Sequence, residues 1–407
     1  MSWNKKSSRA VHSVVGLLCG GMLLTACGGS PEELRDGLQQ PGEEQLTQQT
    51  AALGGAQSYT ARSQGYDDLL AHRTGFALDG NVVGAGADAL VYIVDKTTDD
   101  GSVGTLRHAL ESTPPYWIRF APALAGQSIT VTSSINVKSY KTLDGRMNYA
   151  QPVRIKTNSD SHVVKALVFD GKTQFIVMNV NFDDGYDGWK EDAEGSEAIH
   201  ITDSDRIWLH QNRFARFRDV AVEMDLPLSD FVTMTYNLFE RQYQAVVIRS
   251  KKADFHHNRC LNSGSRCPRM GGPEDGGGNL YAYNNLIEFW RENSIHFAAA
   301  QGEFLAVQNV YNPRTDALRL AGACGGTSDT WDTDTDLKVG KADPDACIDQ
   351  RQTHVEGSAP SVNFLTSCVA TPPIPTSVNL EPASNALANA LRNNARPQAY
   401  VVDNACR

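Results

Sequence analysis

The 407-residue sequence contains no apolar run long enough to cross a bilayer as a permanent helix. It also lacks excess positive charge: 37 Lys and Arg face 47 Asp and Glu, a formal net charge of −10. Such a chain is repelled by nucleic acid and other polyanions unless a local basic patch or a divalent cation intervenes. No two cysteines have the C-x-x-C spacing, which counts against a zinc site. The regular Leu framework of a leucine-rich solenoid is missing. Tight-hairpin signals are scarce, which counts against a β-sandwich. No paired-acid motif suggests a glycoside hydrolase.

What is present begins with the layout of an export signal. Lys5, Lys6 and Arg9 precede an apolar run over Val14–Leu24, and Leu24–Cys27 resembles a bacterial lipobox. This predicts a signal over residues 1–27, lipid on Cys27 and attachment to the cell envelope outside the cytoplasm. Gly28, rather than Asp, after the cysteine points to the outer membrane. Losing Lys5, Lys6 and Arg9, three positive charges, takes the net charge from −10 to −13. Residues 28–65, rich in Gln, Glu, Gly, Ser and Thr, read as a flexible tether, and 66–407 as the folded domain with its tail. Cys19 leaves with the signal and Cys27 takes lipid. The other six cysteines of an exported chain are expected in disulfides, with neighbour pairing 260–267, 324–347 and 368–406.

A faint repeat runs through the domain. Phe175–Phe182, Ile207–Phe214, Phe231–Phe239, Ala253–Cys260, Leu280–Ile287 and Phe304–Tyr311 are short strand-like runs that lead into Asn. Asn212, Asn237, Asn258, Asn285 and Asn309 lie 25, 21, 27 and 24 residues apart. Periods of that size indicate stacked coils. Strands this short cannot stand alone, but stacking about 4.8 Å apart pairs each with the next coil. The pattern predicts an all-β parallel β-helix. Asn is expected to take the left-handed turn that ends each strand and to hydrogen-bond from coil to coil. Helices are expected at 105–112 and 383–393.

Charge is unevenly spread. An acidic block holds Asp183, Asp184, Asp187, Glu191, Asp192, Glu194, Glu197, Asp203 and Asp205. Asp219 and Glu223 follow, and between Glu240 and Met270 seven basic side chains stand against two acidic ones. Carboxylates beside arginines suit a hard cation next to an anionic ligand, as a uronate polymer requires. In Val220–Met224, inward Val220 and Val222 would leave Glu223 outward. Asp219 and Glu223 span about 13 Å along a strand, so both reach one ion only if Asp219 lies in the preceding turn.

Eight pieces in one order carry a resemblance to family 1 pectate lyases. They are Gly104–Leu110, Pro115–Ala121, Lys141–Arg146, Ile207–Asn212, Val232–Phe239, Phe255–Asn258, Arg266–Arg269, and Tyr283–Asn285 followed by Trp290. The resemblance implies a right-handed, single-stranded parallel β-helix with short helical caps, acting as a monomer. It implies calcium-assisted β-elimination of polygalacturonate, or pectin. Arg266 matches the family's catalytic arginine and Arg269 a residue that holds a substrate carboxylate. Glu197, Asp219 and Glu223 match calcium ligands; a fourth ligand position falls on Gly195, with Glu194 beside it as substitute. Three departures stand out. Gln244 replaces a substrate-binding lysine, Leu209–Gln211 replaces Ile-Asp-His, and Gly271 replaces a second arginine, with Arg249, Lys251 or Lys252 as a compensating cation. Two other readings follow from these: a non-catalytic uronate-binding β-helix, and a pectin lyase acting on methyl-esterified chains. His210, His256 and His257 are expected to be structural.

Overall fold

The computed structural model describes residues 54–148, 150–157, 164–186, 195–271, 278–290, 302–312, 351–355 and 370–396 in full. It adds the backbone of 296–297, 338–339, 347–350 and 363–364. The signal, Cys27, Glu194 and the expected pairings of Cys324, Cys347, Cys368 and Cys406 lie outside these residues.

Among the described residues, short strands stack into three long parallel sheets of eleven, nine and seven strands. Each turn of the chain adds one rung to each sheet, so the architecture is the expected parallel β-helix. One pairing is antiparallel, between Gly55–Thr60 and Leu90–Val94. That strand corrects the boundary drawn at residue 65: the last part of the supposed tether is already sheet. Its polar residues alternate outward on an edge, which composition alone reads as loop.

The interior is a column of apolar side chains from all three sheets. Phe182, Phe214 and Phe239 stack along it with ring centroids 5.2 and 5.1 Å apart. Along one edge the asparagines form the expected ladder. Asn212 Nδ2 donates to Asn237 Oδ1, Asn237 to Asn258, Asn258 to Asn285 and Asn285 to Asn309, at 3.1, 3.0, 3.2 and 2.9 Å. The left-handed residue, however, is the one before each asparagine: Gln211, Tyr236, His257, Asn284 and Gln308 have φ between +51 and +55°. The turn at that residue lets the following asparagine side chain enter the stack.

Helix α1 (Leu106–Glu111) opens the coil, with Thr105 accepting from the His108 amide. Helix α2 (Asn385–Asn394), capped by Ser384, packs Leu387 and Leu391 on Leu286 and Val310 of the nine-stranded sheet. Residues 61–89 plate the outer face of the eleven-stranded sheet at Trp117, Ile176, Met178 and Trp208. Ala370 and Val378 cover its other end at Tyr281 and Leu305. Described segments of the chain thus cover parts of two outer faces.

Candidate functional site

Five strands of the seven-stranded sheet matter here: β1 (Lys165–Asp170), β2 (Glu197–Thr202), β3 (Val220–Asp225), β4 (Gln244–Ile248) and β5 (Arg269–Met270). They are consecutive rungs. Ile199, Ile201, Val222 and Met224 lie in the core. Alternation therefore turns His200 and Glu223 outward, and the two are register partners.

Lys165 and Glu197 are also register partners, each first in its strand. At that position the chain is leaving a turn, so strict alternation does not apply to their side chains. Both meet His200. Lys165 Nζ lies 3.0 Å from Glu197 Oε1 and 2.8 Å from His200 Nδ1. His200 Nδ1 lies 2.9 Å from Glu197 Oε2. Ligand atoms of Glu197, His200 and Glu223 all fall within 4.8 Å of one another. Glu197 is 3% exposed. Burial raises the pKa of Glu223, the negative charge of Glu197 raises it further, and Arg249 opposes both.

Asp219 stands in the turn directly before β3, as sharing an ion with Glu223 requires. Its amide donates to Ser196 O at 3.2 Å, beside Glu197. Its carboxylate is not part of the close cluster; His200 takes that place. Arg249 is drawn onto the acidic edge. Its Nη1 donates to Met224 O at 2.7 Å and lies 3.4 Å from Glu223 Oε1.

Arg266 sits in the short loop closed by the Cys260–Cys267 disulfide, the expected neighbour pair. Its φ is +60°. Its carbonyl accepts from the Val246 amide at 2.8 Å, and its Nη1 donates to Gln244 Oε1. Gln244 is only 1% exposed, so it backs the arginine instead of facing solvent.

Register ties these pieces together. Val220 pairs with Gln244, which bridges Ser265; Ile199 pairs with Val222, which sets Glu197 level with Val220. Glu197 and Gln244 are therefore two rungs apart at one level, about 10 Å. Glu223 pairs with Val247, which pairs with Arg269, so that arginine is likewise two rungs from Glu223. The sheet lines up carboxylates and guanidinium groups along one face.

The acidic block divides on folding. Asp183 is buried among cations, its Oδ2 lying 2.7 Å from both Arg213 Nη1 and Arg216 Nη2. Burial alone would raise its pKa, but Arg216 and Arg213 outweigh burial and hold it at about 2. Asp184 accepts from the Thr157 amide and from Ser196 Oγ. Both are structural. His210 lies on the eleven-stranded sheet, bonded to Thr235 Oγ1 at 2.6 Å; burial pushes its pKa down to about 3. His256 stacks on Tyr283 at 4.5 Å and His257 on Tyr236 at 5.0 Å. At Gly271 φ is +65°, a conformation that disfavours the arginine the resemblance places there.

Sequence reasoning missed Lys165 and His200. Parity puts His200 and Glu197 on opposite faces, and Lys165 lies a full coil earlier. Only the register brings them together.

No family model matches the chain. Among curated proteins it is similar to a probable pectate lyase 20 and a putative pectate lyase 2 of Arabidopsis thaliana. The identities are 27% over 179 residues and 29% over 192. These stretches cover 41% and 42% of this chain and 41% and 47% of the relatives. The match thus spans less than half the length of either relative. Among solved structures, Jun a 1, the major allergen from cedar pollen, superposes with a TM-score of 0.63 at 17% identity. That superposition covers 84% of this chain and 97% of the allergen. A pectate lyase bound to hexasaccharide gives 0.52 at 15% identity, over 81% and 99%. The chain has the right-handed parallel β-helix fold and resembles pectate lyases.

Proposed function

We propose that the chain is a polysaccharide lyase that cleaves polygalacturonate by calcium-assisted β-elimination. The observation that carries this reading is the register of one sheet: Glu197 lies two rungs, and Glu223 one strand, from Gln244, on which the Arg266 guanidinium is anchored.

The chemistry is demanding because the proton to be removed, at C5, neighbours an anionic carboxylate. Arg266 faces that proton as base, one of its nitrogens fixed by Gln244. Acting as base in its unprotonated guanidine form, Arg266 takes the C5 proton; the C5–H electron pair becomes the C4–C5 double bond, the C4–O bond breaks, and the departing oxygen takes a proton from solvent, leaving an unsaturated uronate. Arg269 offers a two-pronged contact to a substrate carboxylate. Glu197 and Glu223 supply carboxylate oxygens of the kind calcium takes, and Asp219, whose amide is held on Ser196 O, is proposed as a further ligand. The donor set fits the ion, with the ring nitrogen of His200 as an unusual neighbour. When bound, calcium neutralises the uronate carboxylate and stabilises the charge that develops beside C5. The resemblance to pectate lyases and the acidic edge together support calcium over a metal-free reaction on esterified chains. The protein works outside the cytoplasm as a monomer tethered through lipidated Cys27.

Product analysis tests this. Polygalacturonate incubated with the mature chain and calcium should yield oligomers ending in unsaturated uronate, and a chelator should stop their formation. Saturated reducing ends without unsaturated products would replace elimination with hydrolysis. Binding without any cleavage would leave a lectin-like role.

A further inference from the structure

We propose that Lys165 is a resident cation of the site and that calcium must displace its ammonium from Glu197 in order to bind. The inference rests on the preceding reading, which assigns the ion to Glu197 and Glu223, and it describes what limits occupancy there.

The geometry carries it. Lys165 Nζ touches Glu197 Oε1 at 3.0 Å and His200 Nδ1 at 2.8 Å, two of the three groups that form the close ligand cluster. The ammonium therefore stands where a shared ion would take its ligands. Glu197 is almost fully buried, and a buried carboxylate needs a countercharge. Lys165 is the partner one rung away, and Arg249 serves Glu223 from the other side at 3.4 Å. Three carboxylates, Glu197, Glu223 and Asp225, thus face two cations, which offset much of the site's negative charge before any ion enters. A dication entering this arrangement is repelled by the ammonium and gains Glu197 only after the two part. Lys165 can yield: its side chain is 27% exposed, and a flexible four-carbon stem can carry the charge into solvent. Weak calcium affinity is the consequence, set by a residue that supplies no ligand.

The test is calorimetric titration of calcium into the mature chain and its Lys165→Met, Lys165→Arg and Lys165→Met/Glu197→Gln variants. Methionine keeps the stem and removes the charge. Lys165→Met should bind calcium at least about tenfold more tightly than the parent, about 1.4 kcal/mol. Lys165→Arg, which keeps the charge, should stay at the parent's affinity, and adding Glu197→Gln should abolish the gain. Thermal unfolding supplies a second readout. Lys165→Met should melt below the parent without calcium and recover when calcium is added, at concentrations that leave the parent's midpoint unmoved. Equal affinity in parent and Lys165→Met, or a gain that survives Glu197→Gln, overturns the competition. With elimination products still formed, that result leaves the lyase reading standing. Absence of calcium binding in every protein overturns both the competition and the calcium assignment.

Discussion

The guanidinium of Arg266 donates to the side-chain oxygen of Gln244, a residue buried behind it. One is in a disulfide-closed loop and the other at the start of a strand, yet a bridge from Gln244 to Ser265 holds them in register. A glutamine at this position orients the arginine. Gln244→Ala should therefore lower kcat by about tenfold or more, the worth of one hydrogen bond to a charged group, with a smaller change in KM. Steady-state kinetics on polygalacturonate checks this. A rise confined to KM would make Gln244 a substrate contact instead.

The asparagine ladder makes a stability prediction. Asn258 Oδ1 accepts from the amide and Nδ2 of Asn237, and its Nδ2 donates to Met234 O and Asn285 Oδ1. Asn258→Ala strands several buried polar groups at once and should destabilise the fold by about 3 kcal/mol or more. Asn258→Asp keeps the acceptor but sets an anion against two acceptor oxygens, so it should be at least as damaging. Urea denaturation measures both. A loss below about 1 kcal/mol would mean that water replaces the ladder.

Asp183 gives the pH dependence. Its folded pKa, about 2, lies below the ordinary carboxylate value because Arg216 and Arg213 overcome the effect of burial. A depressed folded pKa means its stabilisation is complete above about pH 4 and disappears as pH falls towards 2. Its contribution is about 2–3 kcal/mol. Asp183→Asn should be destabilised at neutral pH and should lose less further stability between pH 5 and pH 2 than the parent does. Denaturation at the two pH values decides; parallel losses in both proteins would exclude Asp183 as the titrating group.

The coils and the ladder were legible because their signal is periodic. An asparagine recurring every 21 to 27 residues has to meet its counterpart when coils stack. Both helices fell at the expected places, 105–112 and 383–393, and the structure adds their caps, Thr105 and Ser384. In the site, the closeness of Glu197 and Glu223 on adjacent coils was legible, whereas a turn at Asp219 entered only as a condition for its sharing an ion. Lys165 and His200 were not legible, because a strand's first residue escapes alternation and a partner one coil away has no fixed spacing. The acidic run misled for a related reason. A run of carboxylates does not reveal that Arg213 and Arg216, one coil on, will close around Asp183 and remove it from the surface.

The most direct measurement is ultraviolet absorbance of unsaturated uronate, followed as the mature chain and its Arg266→Ala variant act on polygalacturonate with calcium. The account predicts a steady rise for the parent and a rate lower by about a thousandfold for the variant, as for loss of a catalytic base together with its positioning. Equal rates in the two proteins would contradict it.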